Sequence, residues 1–326
     1  MIEATTRALA KLRAMNAGKL SQGLSPENAA ACLHQAIRPL NTTSLAAALK
    51  QCEDLPKSIA IVVPPGVFTT PIEWTAIAVA GGCAVHLKAP TADPSLCRTL
   101  SETFSEEQLP VTWSTSREIP PVDAIIAFGG DDTVKTIADA HPDTPVVRYG
   151  HRFSIAVVTG DPSQAAGPLS IDMARYDGRG CMAPTAVFTT GNASLLMDSM
   201  ADTMTQMEQR YPRGLIEAGL GPEWRRRIGL AKVLGKVKEA PGWAITISPP
   251  EFFAPSALPR MVNIHPVESL DHLRELLSPY EPWLSTLGTD HVDLTIPGIH
   301  RTCRLGWMQA PSIPRNHDGR PMLSGL

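Results

Sequence analysis

The most pointed chemistry in the chain lies in Tyr176-Asp177-Gly178-Arg179-Gly180-Cys181-Met182-Ala183-Pro184. A cysteine between a glycine and small turn residues can present its sulfur to a ligand, because glycine lets the backbone approach closely. A helix starting after the turn would lower the thiol pKa through its free N–H groups and dipole. Arg179 would add positive charge, with no direction assigned by the sequence. The competing role for Cys181 is a buried, inert thiol. Cys32, Cys52, Cys83, Cys97 and Cys303 take that default role.

A second group of residues suits an anion. Gly129-Gly130-Asp131-Asp132-Thr133 follows a hydrophobic run and precedes a helical pattern. Glycines there let a phosphate approach, and a helix N-terminus favours negative charge. The two aspartates also suit ordinary helix capping and would repel a phosphate placed directly on them. Lys88 could bind a ribose or an adenosine 2′-phosphate as a point charge, or be a solvated lysine. Pro65-Gly66 closes the preceding apolar run. His151 is a candidate proton donor or phosphate contact, with capping as its alternative. No histidine or cysteine spacing of a metal site occurs, so none is expected. A serine-hydrolase elbow and a Walker loop are also missing from the sequence.

These residues need elements to hold them. Ile59 to Val63, Cys83 to Leu87, Val111 to Trp113, Asp123 to Phe128 and Pro145 to Tyr149 read as strands. Helical patterns over 71–80, 94–106 and 131–140 separate them. Alternation over 58–158 predicts right-handed βαβ units and a parallel sheet covered on both faces. Ligands of such sheets bind at the strands' carboxyl ends, where Pro65-Gly66, Lys88 and Gly129-Gly130 fall. The G-x-G-x-x-G fingerprint does not occur. Residues 1 to about 55 read as helical packing or oligomer elements, with Ser25 as a cap and Pro26 at a first helical position. Further on come an apolar run at 185–190, helices near 194–211 and 267–277, and a strand at 243–247. The last 25 or so residues read as irregular structure draped over a site or interface.

Composition narrows the function classes. With 326 residues the chain has material for about two domains. A net charge of −3 gives no electrostatic reason to expect nucleic acid or an anionic membrane as partner. No apolar run approaches the ~20 residues that span a bilayer. The N-terminus lacks the pattern of a secretory signal, which predicts a cytoplasmic protein.

Taken in order, the motifs resemble the aldehyde-dehydrogenase superfamily. Pro64-Pro65-Gly66 through Lys88 resembles the superfamily's stretch from a first loop to a strand ending in lysine. Ala127-Phe128-Gly129-Gly130 resembles the turn under the cofactor's phosphates, and Cys181 follows as its nucleophile would. More narrowly, Phe128 to Val134, Arg148 to Ser154 and Asp172 to Pro184 are similar to the acyl-CoA reductase family typified by the fatty-acid reductase of bacterial bioluminescence. So are Arg301-Thr302-Cys303-Arg304-Leu305-Gly306 and His317-Asp318-Gly319-Arg320-Pro321. The family's asparagine in the first loop falls at Pro65 or Gly66, so a side-chain oxyanion donor is missing. Met182-Ala183 stands where leucine-serine is common.

The resemblance implies an α/β, aldehyde-dehydrogenase-like fold with a Rossmann-like cofactor domain and an α/β catalytic domain. The expected division is an N-terminal helical segment 1–57, a nicotinamide-cofactor domain 58–158, a catalytic cysteine domain 159–300 and a C-terminal segment 301–326. It implies NAD(P)H-dependent reduction of an acyl thioester, carried by CoA or a carrier protein, to an aldehyde. Cys181 would be the nucleophile, and its N–H an oxyanion donor. Lys88, Pro65, Gly66, Gly129 and Gly130 would contact the cofactor, NADPH before NADH. An acyl-activating synthetase partner and a homo-oligomer are further implications. Hydrolytic aldehyde dehydrogenases carry a glutamate on the strand before the turn at Gly150. That strand here reads Val146-Val147-Arg148-Tyr149, which favours thiol exchange over hydrolysis. The alternatives are a noncatalytic partner that retains the fold, suggested by the missing asparagine and a short N-terminal region, and a cysteine acyltransferase without redox chemistry.

Overall fold

The β-branched run Ser58–Val62 (β1) is the middle strand of a five-stranded parallel sheet. Its companions are β2 (Ala84–Lys88), β3 (Val111–Ser114), β4 (Ala124–Phe128) and β5 (Val146–Tyr149), in the order β3-β2-β1-β4-β5. Every residue of β4 is buried, as a strand covered on both faces requires. This computed structural model describes all residues except 22, 53, 217–218, 256–257 and 292. The chain forms two units: Met1–Gln22, Ala29–His151 and Ser312–Leu326 in one, Gly23–Asn28 and Arg152–Pro311 in the other.

Among the described residues, six α-helices precede β5: α1 (Ile2–Arg13), α2 (Pro26–Ile37), α3 (Thr42–Leu49), α4 (Thr70–Ala80), α5 (Ser95–Glu106) and α6 (Asp131–Ala140). The Ser25 hydroxyl accepts the Asn28 N–H at 3.2 Å, so the predicted cap on α2 forms. Helix α5 buries Leu96, Cys97, Leu100 and Phe104 at helical spacing and exposes its other face. Helix α4 has no such polarity: every residue from Ile72 to Ala80 except Glu73 is buried. Both α1 and α3 pack on α4, so the N-terminal helices belong to the first unit's core.

The second unit has a seven-stranded sheet of β6 (Phe153–Val158), β7 (Pro184–Thr189), β8 (Lys236–Ala240), β9 (Trp243–Ile247), β10 (Met261–Pro266), β11 (Leu284–Thr289) and β12 (Arg301–Arg304). Their order is β12-β11-β6-β7-β10-β9-β8, parallel except where β8 pairs antiparallel with β9. Helices α7 (Pro162–Ala174) and α8 (Ala193–Arg210) close one face over Val158, Val187, Ile245 and Ile264. Helix α10 (Leu270–Leu277) covers Ile155, Val157, Phe188 and Leu287 on the other, and α9 (Leu220–Leu234) packs on β8 and β9.

Three of the expected boundaries differ from the observed ones. Residues 153–158 were assigned to the cofactor domain, yet β6 pairs with β7 and β11 in the second sheet. A fully buried strand bears no local mark of the sheet it joins. Residues 1–57 do not form a separate segment, because their apolar stripes are buried in the first unit, apart from Gly23–Asn28. The tail 301–326 divides: β12 completes the second sheet, whereas the hairpin β13 (Asn316–His317) and β14 (Arg320–Pro321) belongs to the first unit. Among the described residues no helix is long and apolar enough to cross a membrane.

The strap after β12 is tied to α7 by Asp172. Its carboxylate accepts the Gly306 N–H at 2.6 Å and the Met308 N–H at 3.0 Å. Gln309 Nε2 donates to the Asp172 and Arg175 carbonyls at 2.5 and 2.8 Å. Burial pushes the Asp172 carboxyl up to about 6, against the opposing pull of its N–H donors and Arg175. A folded-state pKa above the ordinary 3.8 means that the folded chain holds the proton longer than the unfolded one. The resulting stabilisation is complete below about pH 4 and is lost as pH rises through about 6. The stability of the wild type relative to Asp172→Asn should therefore fall by roughly 3 kcal/mol across that window and level off above it. Urea unfolding of both proteins at several pH values measures this, and a pH-independent gap would exclude Asp172 as the source.

Candidate active site

Three of the sequence-derived contacts converge within the first unit. Pro65-Gly66, Lys88 and Gly129-Gly130 follow or end β1, β2 and β4, three adjacent strands at the same sheet edge. Lys88 lies in register with Val62, and the Val63 N–H donates to the Lys88 carbonyl at 3.0 Å. The order β3-β2-β1-β4-β5 reverses direction between β1 and β4, which is where a doubly wound sheet opens a crevice. Gly130 caps α6, and a Cβ built on it meets nothing within 4 Å. A Cβ on Gly129 would lie 3.3 Å from Thr133, tighter than ordinary contact.

One of the two aspartates at this turn has a backbone partner. The Asp131 carboxylate accepts the His151 N–H at 2.8 Å. A Cβ on Gly150 would sit 2.1 Å from the same oxygen, so that glycine makes room for the carboxylate. His151 is exposed and follows β5. The tail motif reinforces the end of this sheet: the His317 ring stands edge-on to Tyr149 at 4.5 Å and to Trp74 at 5.6 Å. Arg315 pairs with Glu73 of α4 and meets His317 Nδ1 at 2.5 Å.

Cys181 lies in the second unit. It is exposed, whereas burial pushes the thiols of Cys83 and Cys303 up to about 11 and that of Cys97 to about 12. Those three stay protonated near neutral pH, which removes them as nucleophiles. The turn before Cys181 is left-handed at Tyr176 (φ 51°), Asp177 (φ 53°) and Gly178 (φ 69°). For the two non-glycine residues this conformation costs roughly 1–2 kcal/mol each, so something must impose it.

Asp177 does so. It is completely buried and accepts Asn28 Nδ2 at 3.0 Å, Arg260 Nε at 2.8 Å and the Gly214 N–H at 2.9 Å. Arg260, equally buried, also donates to Glu208 at 2.6 Å and to the Tyr211 carbonyl at 2.6 Å. Its own N–H donates to the Asp177 carbonyl at 3.0 Å. On the far side of the turn, Ser154 Oγ donates to the Cys181 carbonyl at 2.6 Å and accepts the Thr286 N–H at 3.0 Å.

Two expectations about this turn change. The strand β7, not a helix, follows Cys181, so no helix dipole acts on the thiol from that side. The Arg179 guanidinium is engaged by the carbonyls of Leu215 and Gly23. Asn28, Ser154, Asp177, Arg260 and Arg301 were not singled out for any role from the sequence. Of these, only Asp177 carried a local signal, as a residue tolerant of positive φ before a glycine.

Solved structures place this fold. Aldehyde dehydrogenase 21 from Physcomitrella patens, in complex with succinate, superposes with a TM-score of 0.77 at 12% identity, over 99% of this chain and 82% of that one. Aldehyde dehydrogenase C from Pseudomonas syringae, in complex with NAD+ and octanal, gives 0.74 at 15% identity, over 99% and 80%. The fold is thus that of the aldehyde dehydrogenases. The family model for acyl-CoA reductase (LuxC) matches residues 110–326, and the chain belongs to that family. The long-chain acyl-protein thioester reductase 2 of Photobacterium leiognathi is 24% identical, over 72% of this chain and 56% of its own length. The long-chain acyl-protein thioester reductase of Aliivibrio fischeri is 22% identical, over 72% and 52%. The chain therefore spans about half the length of these curated relatives.

Arg260→Met leaves the Asp177 carboxylate buried without its cation and should lower stability by about 3–5 kcal/mol in urea unfolding. Adding Asp177→Asn should recover part of that loss, because the uncompensated charge goes with it. Purely additive losses would show that the pair does not hold the turn.

Proposed function

We propose that the chain reduces an acyl thioester to an aldehyde through an acyl group carried on Cys181. The observation that carries this reading is an exposed cysteine in a turn fixed by buried polar groups, in a family whose curated relatives are named thioester reductases. The Cys181 thiolate attacks the thioester carbonyl and expels the carrier thiol, leaving the acyl group on sulfur. The Cys181 N–H receives charge developing on the carbonyl oxygen. Reduction and collapse then release the aldehyde and return the cysteine.

The first unit's sheet edge fits a nicotinamide dinucleotide, with open space at Gly130 on the α6 N-terminus and the Asp131 charge turned onto His151. Gly129 and Gly130 would hold the pyrophosphate, Pro65 and Gly66 would border the crevice, and Lys88 would contact a ribose or 2′-phosphate, which favours NADPH over NADH. His151 would serve as a phosphate contact or proton donor. When bound, the cofactor supplies hydride. The strand Val146–Tyr149 offers no carboxylate to activate water, which supports transfer to a thiol over hydrolysis. The acyl carrier is CoA or a protein thiol, and an acyl-activating synthetase is the partner class that would supply it.

NADPH oxidation should accompany aldehyde formation from a panel of acyl-CoA and acyl-carrier-protein thioesters, and intact mass should detect acylated Cys181. Cys181→Ala should lower turnover by at least about three orders of magnitude while cofactor affinity is unchanged. Full activity in that variant would remove Cys181 as nucleophile. Acylation without NADPH oxidation would point to an acyltransferase, and neither signal to a noncatalytic partner.

A further inference from the structure

The resemblance implies an asparagine as a side-chain oxyanion donor where this chain has Pro65-Gly66. We infer that the Met182 N–H is the second oxyanion donor, aimed by Ser154. This deepens the reading of Cys181 as an acyl acceptor and rests on it.

Ala183 N–H donates to the Gly180 carbonyl at 2.9 Å, closing a turn with Cys181 and Met182 at its two central positions. The peptide between them is therefore the central unit of that turn. Its carbonyl, on Cys181, is held by Ser154 Oγ at 2.6 Å. The same oxygen accepts the Thr286 N–H at 3.0 Å, so the hydroxyl proton is directed to Cys181. Ser154 is completely buried in β6. A planar trans peptide sets its N–H antiparallel to its carbonyl. The Met182 N–H thus points away from Ser154 Oγ, in the same turn as the exposed Cys181. Among the described residues no acceptor is hydrogen-bonded to it.

The Met182 side chain is held as well. Arg301 Nη1 lies 3.9 Å from its sulfur and 3.5 Å from Thr286 Oγ1, and donates to the Met308 carbonyl at 2.6 Å. Arg301 Nη2 donates to the Trp307 carbonyl at 2.7 Å. Ser154 therefore opposes rotation of the 181–182 peptide, while Arg301 flanks the Met182 side chain. Ser154 is a positioning residue, and the Met182 N–H is the group that meets the substrate.

In the acylation step the Cys181 sulfur forms a bond to the carbonyl carbon and the C=O π pair moves onto oxygen. Two N–H donors stabilise that charge. Collapse restores the C=O bond and breaks the bond to the leaving group, which departs with the electron pair and is protonated by water.

The test compares two reactions of the same sulfur. Acylation by p-nitrophenyl acetate passes through an oxyanion, whereas alkylation by iodoacetamide is a displacement at a saturated carbon and does not. Replacing Met182 by its α-hydroxy acid turns the N–H into an ester oxygen. It should slow acylation roughly 10²–10³-fold, the usual effect of removing one such donor. Ser154→Ala should slow it about tenfold. Alkylation should keep the wild-type rate in both. An equal fall in both reactions would mean that the bonds merely hold the thiol, and unchanged acylation in the ester variant would mean that Met182 is no donor. Either result overturns the inference. Because neither probe needs NADPH or the natural thioester, failure of the reductase reading would show separately.

Discussion

The arrangement around Cys181 depends on one buried ion pair, Arg260 with Asp177, whose side chains are both inaccessible to solvent. Two charges that leave water are tolerated only when they are paired and their remaining hydrogen-bonding groups are satisfied. Arg260 meets that demand with Asp177, Glu208 and the Tyr211 carbonyl. Asp177 meets it with Arg260, Asn28 and the Gly214 N–H. These partners come from the start of α2, the end of α8, the loop after it and the residue before β10. These bonds hold the left-handed path through Tyr176 and Asp177.

Asp172 imposes a similar constraint one helical turn earlier. It binds the N–H groups of Gly306 and Met308, and the Met308 carbonyl in turn binds Arg301. The segment after β12 thus folds back onto α7, and its position determines where the Arg301 guanidinium rests beside Met182. In the other unit the tail's hairpin acts on Trp74, Phe128 and Tyr149, at the carboxyl ends of β4 and β5 and on α4. The last 26 residues therefore brace each unit at the end of the sheet that bears its candidate residues.

What the sequence disclosed follows from how local each signal is. β-branched runs such as Ile59 to Val62 report their own burial, so the first sheet's strands were legible almost to the residue. Gly129-Gly130 and Pro65-Gly66 were legible because a turn needs particular residues in consecutive positions. Phe153 to Val158 fell inside the span 58–158 expected for the cofactor domain, since its pairing with β7 and β11 is set by remote partners. The polar network was invisible for the same reason. Asp177 and Arg260 are 83 positions apart, and neither sequence neighbourhood announces a buried charge. Asn28 looked like part of a helix start, and it is one, yet its side-chain amide serves Asp177.

Backbone donors gain importance when side-chain donors are lost. An asparagine amide on a loop can be moved by any change in that loop. A peptide N–H inside a closed turn cannot, provided its carbonyl is fixed. Ser154 fixes it with a single hydroxyl whose donor and acceptor capacities are both used, which leaves one orientation for the proton. Thr286, the other participant, lies on β11, the strand that pairs with both β6 and β12. The orientation of the 181–182 peptide is thus tied, through Ser154 and Thr286, to the register of three adjacent strands.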